Sequence, residues 1–258
     1  DLDSHGTWRF VRGYGNVWMP NRVAPGWAPY RFGRWVFIQP WGWTWVDNEP
    51  WGFAPFHYGR WVNVSGVWYW VPGRMRTKPV YSPALVAFVG GRSNSGAIVG
   101  WFPLGPEEVY RPSYRVSREY FIEINRGTTL SDTYIVKQYN SPQVVTNVTY
   151  VNRAVPNAMS VVQTSTFAQS KPVDQAIVPV AQQSLAKEPI KTVPPVAPVL
   201  QNPPAPANAV PPVQGAPAPA APQNPPANVV APAVPQKPTE NQPAQQIAPK
   251  VEDVMKPL

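Results

Sequence analysis

The feature that most constrains this chain is a tryptophan motif that recurs at nearly constant spacing in its first hundred residues. A Gly-X-Trp triplet begins at Gly6, Gly33 and Gly59, with spacings of 27 and 26 residues. Nine or ten residues after the tryptophan of each triplet comes another one, at Trp18, Trp45 and Trp70. Between the triplets a second phrase recurs, Gly26–Tyr30 and Gly52–Phe56, with a weaker echo at Tyr81–Ala84. Repetition at this period predicts three copies of one supersecondary unit.

Within each unit the residues alternate as in a β-strand. Residues 34–38 and 60–64 show this period of two, and a glycine turn follows each run, at Gly42 and Gly66. Two short strands that flank a glycine turn are typical of a β-hairpin. The links between units contain proline, which cannot pair in a central strand. We therefore predict an all-β fold, with serial Trp-rich hairpins forming a small sheet or barrel.

The hairpin tryptophans are candidates for the core. Trp43 and Trp45 share one strand face, and Trp68 and Trp70 share another. A buried indole removes on the order of 150–250 Å² from water, which allows a small sheet with few aliphatic residues to hold together. We expect burial at equivalent positions of successive hairpins, namely Trp35, Trp45, Trp61 and Trp70.

Composition divides the chain into three segments. All twelve tryptophans lie between Trp8 and Trp101, and the stretch after Pro189 consists mainly of Pro, Ala, Val, Gln and Asn. Such a stretch lacks the large side chains that offset the entropy cost of ordering. We predict a Trp-rich repeat domain over residues 1–130, an extended Val/Thr-rich arm over residues 131–188, and a disordered Pro/Ala-rich tail over residues 189–258.

Three further elements are predicted outside the repeats. Residues 81–89 and 97–102 indicate an antiparallel strand pair that extends the sheet. Residues 117–125 fit a short helix with Ser117 as its N-cap, although their aromatic and β-branched residues also suit a strand. The arm has strand propensity without a hairpin turn, so it either returns to its own sheet or offers an edge to another chain. The candidate interaction residues of the arm are Val144, Val145, Val148, Tyr150 and Val151.

Charge and cysteine content narrow the possible functions. Residues 1–160 carry sixteen basic and nine acidic residues, net +7, and fourteen of the basic residues are arginine. Arginine among aromatic residues indicates cation–π pairs inside a fold, or contact with an anionic partner. The chain has no cysteine, which excludes thiol catalysis and Cys-ligated metals. It begins without Met and contains no run of eighteen apolar residues, so we expect the mature form of an exported protein without a transmembrane helix.

Residues with catalytic chemistry are sparse. The two histidines, His5 and His57, are too few for most metal or general-base sites, and a structural role is expected for His57. Asp47 and Glu49 lie on one turn, where two carboxyl groups seldom span a glycosidase cleft. We therefore expect no catalytic residue, no metal and no cofactor. The candidate binding surface combines aromatic and charged residues of the repeats: Trp27, Arg34, Trp41, Asp47, Trp51 and Arg60.

Several motifs together resemble a known type of bacterial protein. They are Gly33–Val36, Pro40–Asp47, Pro50–Trp61, Gly100–Pro106 and Tyr150–Pro156. They resemble an uncharacterised family of exported proteins with a Trp/Gly/Pro-rich domain, often found downstream of a FecR-like domain and similar to YXWGXW-repeat envelope proteins. The resemblance covers about residues 1–180 and implies a periplasmic or outer-surface location. It implies no catalytic residues, and this chain contains no FecR-like part.

Two functions follow as expectations. The first is a non-catalytic structural or protein-interaction component of the bacterial cell envelope, which docks through a rigid β head, the arm and the tail onto an envelope protein, a larger assembly or another copy. The alternative is a glycan- or peptidoglycan-binding module with exposed tryptophan and arginine. A nucleic-acid binder is disfavoured, because there is no recognised motif and the protein is expected to be exported. Exposure of the tryptophans distinguishes these possibilities.

Overall fold

The three repeats form three β-hairpins, as predicted. In the computed structural model, which describes residues 2–73, 79–93, 96–141, 149–179, 185 and 188–198, the paired strands are antiparallel throughout. A tryptophan faces a tryptophan directly across each hairpin, in the pairs Trp8–Trp18, Trp35–Trp45 and Trp61–Trp70. The six strands are β1 (Gly6–Val11), β2 (Gly15–Pro20), β3 (Gly33–Ile38), β4 (Gly42–Asp47), β5 (Arg60–Val64) and β6 (Val67–Val71).

The strands are divided among three sheets. The first and third hairpins join in the order β1-β2-β6-β5 through one bridge between Trp18 and Trp70, and β3-β4 stands alone as a two-stranded sheet. Four later strands are β7 (Val86–Ser93), β8 (Gly96–Pro103), β9 (Ser160–Gln163) and β10 (Ile190–Lys191). They form a further sheet in the order β10-β7-β8-β9. The all-β prediction is confirmed.

The strand pair β7-β8 does not extend the hairpin sheet, so that prediction is wrong. Aromatic packing explains the difference. Trp35 of the β3-β4 hairpin contacts Trp101 and Phe88 of the β10-β7-β8-β9 sheet, with ring centroids 5.5 and 5.3 Å apart. Side chains from all three sheets enter one hydrophobic cluster. The sheets are therefore joined through their side chains, and the β7-β8 pair shares no strand pairing with the hairpins.

Ten of the twelve tryptophans are buried, including all four expected in the core. Many indole nitrogens donate to backbone carbonyls, for example Trp61 to Pro55 at 3.0 Å and Trp101 to Tyr30 at 2.8 Å. A buried indole N–H usually finds such a partner, because desolvation without one is costly. The Nε1 atom of Trp35 is buried without one. The two exceptions to burial are Trp8 and Trp41, which are 40% and 36% exposed.

The predicted helix is also present. It spans Arg118–Asn125 (α2), and the Ser117 side chain accepts a hydrogen bond from the backbone N–H of Tyr120, as an N-cap does. The serine cap decides this segment in favour of helix over strand. The other α-helices are α1 (Phe53–His57), α3 (Asp132–Asn140) and α4 (Thr164–Ala168).

The predicted extended arm is partly helical and returns to its own fold. Helix α3 has Ser131 as its N-cap and buries Ile135. Strand β9 pairs with β8, which is one of the two alternatives considered from the sequence. Of the candidate interaction residues, Val144, Val145 and Val148 lie outside the described residues. Tyr150 packs against Phe102, and Val151 begins a 3-10 turn with 45% of its surface exposed.

The first residues of the predicted tail contact the folded domain. Ile190 and Lys191 pair with β7, and the indole nitrogen of Trp43 donates to the carbonyl of Val196 at 3.1 Å. A strand edge and an indole donor therefore hold part of the backbone of residues 190–196, and the boundary of the tail at residue 189 stays a prediction. Residues 199–258, the rest of the predicted tail, lie outside the described residues. The described residues between 2 and 198 belong to one compact unit, and the division at residue 130 stays a prediction.

Candidate functional site

The structure brings only part of the predicted binding surface to the exterior. Arg34 and Trp41 are exposed and Asp47 is half-buried. Trp27, Trp51 and Arg60 are buried, so they cannot offer a surface to a ligand here. Aromatic packing buries the two indoles. Trp27 contacts both Trp51 and Trp61, at ring-centroid distances of 6.0 and 5.6 Å.

Arg60 has a structural role inside the protein. Its guanidinium donates to the backbone carbonyls of Glu108 and Gly59 at 3.2 and 2.8 Å, and to Oδ1 of Asn125 at 2.9 Å. Burial lowers the pKa of Arg60 to about 10, so the group remains protonated at neutral pH. Its donors are thus used to join β5 to α2 and to the loop that precedes it.

Asp47 organises a turn. Its Oδ2 accepts from the indole of Trp45 at 2.8 Å, and its Oδ1 accepts from the backbone N–H of Glu49 at 2.9 Å. Burial raises the pKa of Asp47 to about 7, and these two hydrogen bonds act in the opposite direction. Both carboxylate oxygens are therefore occupied by the protein, which favours a structural role over the acid–base pair considered with Glu49.

A set of aromatic rings that the predicted surface mostly missed gathers around Tyr81. We call it the Tyr81 patch and define it as Trp41, Phe53, His57, Tyr58 and Tyr81. The Tyr81 ring stacks on Phe53 and His57, with centroids 6.2 and 4.8 Å away and interplanar angles of 23° and 28°. Trp41 and Tyr58 meet the same ring edge-on at 5.3 and 6.3 Å. One ring thus touches four others.

The outer members of the Tyr81 patch are open to solvent. Phe53 is 64% exposed and Trp41 is 36% exposed, whereas His57 is buried beneath them. The His57 Nδ1 atom lies 2.7 Å from the carbonyl of Ser82, and burial lowers the pKa of this histidine. His57 therefore supports the patch as a neutral aromatic ring, in agreement with its expected structural role.

The backbone under the patch is fixed by hydrogen bonds. The Ser82 backbone N–H and its hydroxyl both donate to the carbonyl of His57, at 3.1 and 2.9 Å. On the other side, the Tyr120 hydroxyl donates to the carbonyl of Tyr81 at 2.6 Å. Helices α1 and α2 therefore hold the Tyr81 segment between them. The result is a preorganised aromatic surface.

A sequence signal for this patch exists in the repeats. Phe53 occupies the place of Trp27 in the second copy of the aromatic-Ala-Pro phrase, and Tyr81 begins the weaker echo of that phrase, Tyr81–Ala84. The signal marks the position but not its exposure, since Trp27 is 9% exposed. Whether the aromatic residue at this position is buried, like Trp27, or exposed, like Phe53, depends on the packing of the whole domain.

No group of three or more His, Asp or Glu residues in the described part of the chain is placed to hold a metal ion. The described helices also include none that is both long and apolar enough to cross a membrane. What the arrangement can do is present aromatic surface to a partner.

Comparison with known proteins agrees with an uncharacterised domain. Residues 1–108 match a family of unknown function (DUF6600). The matched region contains strands β1–β8 and every residue of the Tyr81 patch, and is shorter than the 1–180 suggested by the motifs. Comparisons with curated proteins and with solved structures find no match.

Proposed function

We propose that this protein is a non-catalytic component of the bacterial cell envelope that binds another protein through the Tyr81 patch. The observation that carries the proposal is the exposed stack of Phe53 on Tyr81, with Trp41 at its edge. Exposed aromatic surface on a soluble domain is typical of an interaction site, and aromatic residues contribute much of the energy at such sites.

Burial of half of the predicted binding surface favours this function over glycan binding at that surface. Trp27, Trp51 and Arg60 are buried, and Arg34, Trp41 and Asp47 remain at least partly exposed. The Tyr81 patch instead combines apolar rings with phenol hydroxyls, a composition common in the centre of protein interfaces. A partner that covers it would remove Phe53 and Trp41 from water.

The location and the assembly role rest on the motifs. The segments Pro40–Asp47 and Pro50–Trp61 resemble those of exported Trp/Gly/Pro-rich proteins, which favours the periplasm or the cell exterior. The candidate partners are an envelope protein, a larger assembly or a second copy of this chain. A contribution of the arm through Val144, Val145 and Val148 stays part of this proposal.

The test compares two exposed phenylalanines. Phe53→Ser removes apolar surface from the patch, and Phe10→Ser makes the same change at a residue on β1 that is 77% exposed and outside the patch. Substitutions at such exposed positions change stability by only about 0.5 kcal/mol, so both variants should fold. Full-length tagged protein is recovered from gently solubilised envelopes after crosslinking, and its partners are quantified by mass spectrometry.

The proposal predicts a stoichiometric protein that is recovered with wild type and Phe10→Ser and is lost with Phe53→Ser. Purification of that protein and titration against the three chains then checks direct binding. Equal recovery with all three chains contradicts the role of the patch. Recovery of this chain alone, without any stoichiometric partner or self-association, contradicts the proposed function.

A further inference from the structure

A cleft that shares no residue with the Tyr81 patch lies beside the first hairpin. It has a volume of about 620 Å³, within the usual range for a small-molecule site. Three segments form it: the first hairpin with its turn, the end of β6 with the two residues after it, and the loop after α2. The lining residues that matter here are Trp8, Tyr14, Asn16, Gly73, Gly127 and Thr129.

Two glycines bring the walls of the cleft together. Gly73 has a φ of +85°, and a Cβ atom at this residue would lie 2.5 Å from the Cα of Gly127. The two loops are therefore in backbone contact, and only glycine permits both this approach and this conformation. Neither residue has a side chain that could fill the space beside Trp8.

Trp8 is held in place before any ligand arrives. Its indole nitrogen donates to Oδ1 of Asp3 at 2.8 Å, and its ring contacts Trp70 with centroids 6.2 Å apart. The ring is nevertheless 40% exposed. A fixed and open indole loses little conformational entropy on binding, which favours affinity for a flat ligand surface.

The polar groups of the cleft are neutral. Asn16 and Thr129 are exposed and supply an amide and a hydroxyl, and Tyr14 adds a phenol. None of the described residues that line the cleft is charged. Amide and hydroxyl groups donate and accept hydrogen bonds, which matches a ligand that carries many hydroxyls.

We propose that this cleft binds a neutral saccharide, with one sugar ring stacked on Trp8 and its hydroxyls bonded to Asn16 and Thr129. The C–H face of a pyranose carries partial positive charge and suits the negative face of an indole. The amide, hydroxyl and phenol groups of Asn16, Thr129 and Tyr14 suit the hydroxyls of a neutral sugar. This site is additional to the protein interaction proposed above and uses different residues.

Isothermal titration calorimetry of the full chain tests the proposal. The probes are three neutral tetrasaccharides, chitotetraose, cellotetraose and maltotetraose, with tetragalacturonate as the acidic comparison. We expect at least one neutral probe to bind, and Trp8→Ala to weaken that binding by about tenfold. Trp8→Tyr, which retains an aromatic ring, should keep most of the affinity.

Tyr134→Ala is the matched control, because Tyr134 is an aromatic residue that is 38% exposed, nearly as much as Trp8, and lies outside both the cleft and the Tyr81 patch. Its affinity should equal that of wild type. The proposal is overturned if no neutral probe binds at millimolar concentration, if tetragalacturonate binds more tightly than all three, or if Tyr134→Ala weakens binding as much as Trp8→Ala. Loss of protein partners by Phe53→Ser is measured separately, so the two proposals can fail independently.

Discussion

Removal of the Trp61 side chain should cost a large part of the stability of the fold. Trp61 is 1% exposed, and its ring lies against Trp27 and Phe56 at 5.6 and 5.7 Å. A buried indole removes roughly 150–250 Å² from water, worth about 4–6 kcal/mol at about 25 cal/mol per Å². Partial collapse of the cavity reduces this cost, so we expect Trp61→Ala to lower the free energy of unfolding by about 4 kcal/mol.

Loss of a hydrogen bond contributes to the same change. The indole nitrogen of Trp61 donates to the carbonyl of Pro55 at 3.0 Å, and alanine leaves that carbonyl without this donor. Since small domains are stable by only about 5–15 kcal/mol, the variant should remain folded at low temperature with a much lower urea midpoint.

Urea unfolding of the full chain, followed by far-UV circular dichroism, measures the effect. The control is Phe10→Ala, which removes an exposed aromatic ring from β1 and should cost about 0.5 kcal/mol or less. A loss below about 1 kcal/mol for Trp61→Ala, or equal losses for the two variants, would refute the assignment of the paired hairpin tryptophans to a close-packed core.

Two further predictions concern the end of the fold and its pH dependence. A chain ending at Pro198 should keep the wild-type Tm. A chain ending at Glu188 should melt several degrees lower, because it loses the pairing of β10 with β7 and the Trp43–Val196 hydrogen bond. Equal Tm values for the two truncated chains in calorimetry would contradict this prediction. Burial raises the pKa of Asp47 to about 7, so its contribution to stability is full below about pH 4 and is lost as the pH rises through 7. The Tm of wild type relative to Asp47→Asn should therefore decrease from pH 4 to pH 8, and parallel profiles for the two proteins would argue against a raised pKa.

Local patterns in the sequence were sufficient for the hairpins. Alternation in residues 34–38 and 60–64, a glycine at each turn and the Trp spacing predict both strands of each unit. The Ser117 cap likewise predicts α2. These features depend on contacts between residues close in the chain, which is why the sequence alone reveals them.

Exposure of equivalent repeat positions was decided only by the tertiary structure. Trp8 and Trp61 both open a hairpin and both lie on an outer strand of the same sheet. The backbone of Trp61 is covered by distant segments, since its N–H donates to Leu104 and its carbonyl accepts from Asn152. Trp8 lies on β1, where residues 7–10 are exposed, and so remains available at the cleft.

The same holds for the aromatic-Ala-Pro phrase, which occurs at Trp27 and at Phe53. Trp27 is enclosed by Trp51 and Trp61, whereas the equivalent Phe53 lies outside against Tyr81. The repeat determined that an aromatic ring stands at each position and that hairpins separate them. Which ring faces water depended on how three sheets pack on one another, because burial is set by contacts between segments far apart in the chain.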